Sequence, residues 1–146
     1  MKKQILSVVA ALSVLATLMV AAVYAASLPE RIKVDIPFSF TVGKATLPAG
    51  EYMVEESTQG VLLIRSIDRS ANASALAIRA QNKKNMERPA LVFHRYGEEY
   101  FLSRVWATGT DGLELPKSRR EREVAKSAKH LAQHASQLEI VTVLAE

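Results

Sequence analysis

Three histidines, two pairs of adjacent glutamates, a Ser-x-Lys triplet and a run of basic residues are the groups in this chain whose types and spacing could do chemistry. His130 and His134 stand four apart, the spacing that lets two imidazoles on one helix face share a metal. The Glu of an H-E-x-x-H arrangement is missing, no third ligand lies within a turn, and the segment is basic. The expectation is a solvated pair, with no metal and no cofactor. His94 lies in Phe93-His94-Arg95-Tyr96, with Tyr100 across a tight turn. Such a histidine could act as a general base at a barrel mouth. No nucleophile elbow or glycine-rich oxyanion loop accompanies it, so the rival reading is a sheet-face histidine bonded to a neighbour. Glu55-Glu56 and Glu98-Glu99 do not converge, because adjacent strand residues point to opposite faces. Ser127 and Lys129 diverge by about 200° on a helix, which excludes a dyad.

The basic run is the strongest feature outside the apolar segments. The 146-residue chain has 19 Lys plus Arg and 15 Asp plus Glu. Residues 26–116 are balanced, whereas Lys117, Arg119, Arg120, Arg122, Lys126 and Lys129 face only Glu121 and Glu123 between 117 and 134. Arg119, Arg120, Arg122 and Lys126 are therefore the candidates for contact with an anionic lipid or polysaccharide. The rival is a solvated helix face laced by i,i+4 pairs. Phe93, Tyr96, Tyr100, Phe101 and Trp106 concentrate the aromatic groups in one hairpin. They read either as core or as a ligand-lined site formed by His94, Tyr96, Tyr100 and Trp106. Trp106, at a strand end before a glycine-rich segment, is expected to be half exposed.

The elements that would position these groups follow from residue rhythm. Ile32, Val34, Ile36, Phe38, Phe40 and Val42 alternate with non-core residues, which predicts a strand over 32–42 with Pro37 at an edge or bulge. Gly43-Lys44 suits a two-residue turn into a short strand at 45–47, and Leu47–Gly50 a type I turn. Further strands are expected at 51–56, 61–67, 75–81 (Leu76 and Ile78 inward), 91–96 and 100–106. Polar or glycine-rich composition predicts loops at 68–74, 82–89 and 107–113. Ser118-Arg119-Arg120-Glu121 is a capping box. The stripe Val124, Ala128, Leu131, Ala135 and Leu138 extends a helix over about 119–135, and 138–144 reads as a final strand. The expected fold is mainly β: a small antiparallel sandwich or partly open barrel of seven to eight strands, one C-terminal amphipathic helix and a last strand.

Lys2 and Lys3, the uncharged run Ile5–Val23 and Val23-Tyr24-Ala25 have the order of a signal peptide with its cut after residue 25. The run of 19 residues also suits an uncleaved membrane anchor. Either way residues 26–146 form one exported domain, periplasmic or extracellular, for which nucleic acid is a disfavoured partner. The chain has no cysteine, so its stability must come from the core.

Phe38–Tyr52 (FSFTVGKATLPAGEY), Val61–Ser66 (VLLIRS), Leu91–Trp106 (LVFHRYGEEYFLSRVW) and Glu114–Glu123 (ELPKSRRERE) resemble a family of small secreted bacterial proteins of unknown function. The resemblance implies an envelope location and a one-domain product. It implies no activity, cofactor or catalytic residue. The leading expectation is a non-enzymatic module that binds an envelope component: anionic lipid, polysaccharide or another exported protein. A small enzyme or small-molecule binder around His94, and a structural or assembly module, are the alternatives.

Overall fold

A computed structural model describes residues 31–58, 60–131 and 138–146. The segment read as a signal peptide or anchor, and His134, lie outside the described residues. The elements are β1 (Ile32–Ile36), β2 (Phe40–Val42), β3 (Ala45–Leu47), β4 (Gly50–Thr58), β5 (Val61–Ser66), β6 (Asn72–Leu76), β7 (Ile78–Met86), β8 (Ala90–Tyr96), β9 (Glu99–Trp106), β10 (Gly109–Glu114), α1 (Arg119–Leu131) and β11 (Glu139–Leu144). The molecule is mainly β, with a helix and a last strand at its C-terminal end, as the residue rhythm predicts. The strands number eleven among the described residues, more than expected.

They form two sheets. One has the order β1-β4-β5-β6, and the other β11-β8-β9-β10-β7. The β2–β3 hairpin joins the second sheet through a parallel bridge from Thr41 to Phe101. Every other pairing is antiparallel. Ile36, Tyr52 and Ile64 from the first sheet share one core with Phe40, Phe93 and Leu102 from the second. The Phe40 ring meets Tyr52 edge-on, with centroids 5.2 Å apart. Such pairs add to the gain from apolar burial.

The expected single strand over 32–42 is two strands in different sheets. Pro37 has no N–H, so the ladder of β1 ends there and the chain crosses to the other sheet. Alternation resumes in phase, which is why the apolar pattern hides the crossing. The Gly43-Lys44 turn forms as read, with Gly43 at φ +58°. The turn packs against β6: a Cβ on Gly43 would lie 3.6 Å from the Ala75 side chain, at ordinary contact distance. Ala73 and Ala77 are buried, whereas Leu76 and Ile78, expected inward, are exposed.

Two expected loops are strands. Residues 78–86 form β7, and β10 occupies 109–114. Within its sheet β7 is bonded to β10 alone, and most of its side chains are exposed. A ribbon wetted on both faces has no apolar alternation to reveal it. Gly112, read as a loop residue, sits opposite Trp106 in the ladder, and a Cβ there would come within 2.2 Å of the indole ring. The glycine makes room for the aromatic group. At the C-terminus, Ala145 enters the core and donates to the Pro89 carbonyl at 2.9 Å, and Glu146 donates to the Lys33 carbonyl at 3.0 Å. The first extends the pairing of β11 with β8, and the second ties the end of the chain to β1 of the opposite sheet.

Candidate functional site

The strand β8 alternates between the shared core and the other face of its sheet. Leu91 and Phe93 enter the core, so Ala90, Val92, His94 and Tyr96 occupy the outer face. Helix α1 is held against the His94–Tyr96 end of that face. Ser118 caps it, its Oγ accepting the Glu121 N–H at 3.1 Å. In a full capping box the Glu121 carboxylate would reach back to the Ser118 amide. Instead it accepts a bond from His94 Nδ1 at 2.7 Å.

Around this pair, the Tyr96 hydroxyl lies 3.5 Å from the same Glu121 oxygen, and Lys117 Nζ donates to the Tyr96 oxygen at 3.4 Å. Tyr96 also packs edge-on against Phe101, with centroids 6.0 Å apart. A carboxylate can only accept, so Nδ1 carries the proton that faces it. The side chains of His94 and Glu121 are 15% and 5% exposed, so both groups are largely closed off from solvent. A base oriented by a carboxylate would serve acid–base chemistry if a substrate could reach it. Here the carboxylate belongs to the helix itself, and the pair fastens α1 to the sheet. Arg120 reinforces the attachment through an ion pair with Glu99 of β9 at 2.9 Å.

His94 and Tyr96 thus come together, and Tyr100 and Trp106 do not join them. Tyr100 lies on the core side, where its ring stacks on Phe38 at 3.9 Å and the Arg95 guanidinium lies 5.3 Å from its centroid. Trp106 is buried rather than half exposed, in a second small cluster with Ala90, Val92, Ala80 and Met86. Glu121 and Lys117, the partners of His94 and Tyr96, were not singled out as site residues by sequence reasoning. One signal was available: Glu121 heads the same stripe as Val124 and Ala128, so it faces the side that docks.

Of the four basic candidates, Arg120 is turned to Glu99, and Arg119 pairs with Glu123 at 3.1 Å while its own side chain stays largely exposed. Arg122, Lys126 and Lys129 are exposed. Among the described residues no cluster of three or more His, Cys, Asp or Glu could hold a metal ion. Among them, too, no helix is long and apolar enough to cross a membrane. No family model matches the chain, and no curated protein or solved structure matches it either.

Proposed function

We propose that the chain is an exported, non-enzymatic β-sandwich module that meets an anionic component of the bacterial envelope through the outer stripe of α1. The division of labour on that helix carries the reading. Glu121 and Arg120 hold α1 to the sheet. Arg119, Arg122, Lys126 and Lys129 fall within about 80° of one another around the axis, at 3.6 residues per turn. Its centre lies about 180° from Val124, about 140° from Ala128 and about 120° from Glu121, so docking the helix presents four basic side chains outward. Two sheets around one core support the sandwich. The leader-like pattern of residues 2–25 and the resemblance to small secreted bacterial proteins support export.

The favoured partner is a surface of anionic lipid headgroups, where each basic residue contributes about 1 kcal/mol. The contact would be electrostatic and sensitive to salt. Co-sedimentation with phosphatidylglycerol vesicles tests it, with phosphatidylcholine vesicles as the neutral control. Wild type is expected to pellet with the anionic vesicles at low salt and to be released at high salt. Substituting Gln at Arg119, Arg122, Lys126 and Lys129 together is expected to abolish pelleting. Equal retention of wild type and this variant would remove the claim. Retention on an anionic polysaccharide but not on vesicles would replace the lipid by that partner. N-terminal sequencing of the protein from fractionated cells tests the leader.

A further inference from the structure

A second group of charges lies far from α1 in the chain, on the outer face of the four-stranded sheet. Tyr52, Val54 and Ile64 point into the core, so Met53, Glu55 and Arg65 project outward. Arg31 joins them just before β1, and Arg69 from the turn between β5 and β6. Together these residues border an open cavity of about 230 Å³. Glu55 accepts from Arg31 Nε at 3.0 Å and lies 3.5 Å from Arg65 Nη2. Arg69 holds no ion pair among the described residues.

The neighbouring carboxylates are already engaged. Glu51 is paired with Lys33 at 2.9 Å. Asp68 accepts from the Ser70 amide at 3.0 Å and from its hydroxyl at 2.8 Å. Arg31 and Arg65 share Glu55, Arg69 has no such partner among the described residues, and the lining of three arginines and one glutamate carries two net positive charges, with the Asp68 carboxylate beside it. Each guanidinium offers five N–H donors, of which Glu55 takes few. Met53 and the exposed Ile67 add an apolar wall.

Arg69 supplies the most specific observation. It has φ +62°, the one positive φ at a non-glycine residue among those described. Glycine or asparagine suits that conformation better. The residue in this glycine-favouring conformation lines the same cavity as Arg31 and Arg65.

We propose that this cavity binds a small organic anion, a carboxylate or phosphate joined to a short apolar body. The planar fork of arginine matches both headgroups, and the Met53–Ile67 wall takes the apolar part. The site is independent of the basic stripe on α1.

The test is an NMR titration of the folded protein with hexanoate, hexyl phosphate and inorganic phosphate at constant ionic strength. Saturable shifts are expected at the Ile67 and Arg69 amides with at least one hexyl probe, about tenfold tighter than with inorganic phosphate. Arg69→Gly keeps the turn conformation and removes the guanidinium. It is expected to leave the melting temperature unchanged or raised, and to weaken the hexyl probe about tenfold. The fourfold Gln variant of α1 is expected to bind the probe as wild type does. The preferred hexyl probe identifies the headgroup. Absence of saturation with both hexyl probes, equal affinity for inorganic phosphate, or full affinity in Arg69→Gly would overturn the proposal.

Discussion

Glu121 has two roles at the start of α1. Its amide N–H donates to the capping Ser118 hydroxyl, and its carboxylate meets His94. Removing His94 would leave a buried carboxylate with only the 3.5 Å contact from Tyr96. His94→Leu is therefore expected to cost about 3 kcal/mol, as for a broken buried pair. The double variant His94→Leu/Glu121→Leu is expected to recover much of that loss, because no charge is then left unpartnered. Urea denaturation of wild type, His94→Leu, Glu121→Leu and the double variant measures the coupling; simple additivity would show that the two groups do not hold one another. Asp68 provides a pH test at the same scale. The Ser66 hydroxyl, then the Ser70 amide and hydroxyl, hold its carboxyl at about 2, below the ordinary 3.8. A lowered folded pKa means that the stabilisation is present above the unfolded value and is lost as pH falls through the folded one. The gap in melting temperature between wild type and Asp68→Asn is thus expected to be constant above about pH 5, to shrink as pH falls through about 2 and to close toward about pH 1. A gap that persists unchanged below pH 2 would contradict this.

Among the elements, β10 depends most on a single residue. It pairs with β9 and β7, and Gly112 lies directly opposite Trp106. A methyl group at 112 must displace the indole ring or push the strands apart, since the space is already filled. Gly112→Ala is expected to cost about 2 kcal/mol by overpacking. Trp106 is the single tryptophan, so its fluorescence reports the event directly. A red-shifted spectrum and a lower urea midpoint are expected; an unchanged midpoint would show that the ring yields freely. Within β6, Ala73 is buried and Ala75 packs on the core beside the Gly43 turn, whereas Leu76 is left outside.

At the scale of the whole molecule, two open sheets share one core and the C-terminal tail ties their edges at β1 and β11. Ile140 and Leu144 on β11 are nevertheless exposed, and so are apolar groups on the opposite side. Leu76 and Ile78, at the junction of β6 and β7, are 74% and 62% exposed beside an edge of each sheet that has no further strand among the described residues. Exposed apolar groups on strand edges invite association. Leu76→Lys/Ile78→Lys is expected to change stability by less than about 1 kcal/mol, roughly the additive limit for exposed sites. It is also expected to reduce self-association in sedimentation velocity at high concentration. Equal association in wild type and variant would locate the contact elsewhere.

What residues settle with their immediate neighbours was legible from order alone. The inward set of β1, the glycine turn at 43, the hairpin between Tyr96 and Glu99, the Ser118 cap and the final strand all rest on periodicity or on one backbone conformation. Three matters were decided only by tertiary structure. The crossing at Pro37 is silent because the apolar rhythm stays in phase through it. The inversion at Leu76 and Ile78 is silent because hydrophobicity does not say which side of a strand has room. The meeting of His94 with Glu121 is silent because 27 residues separate the two along the chain. Local preference acts over a turn or a pleat, whereas the outer face of β8 and the docking side of α1 exist together only after both sheets have closed around the core.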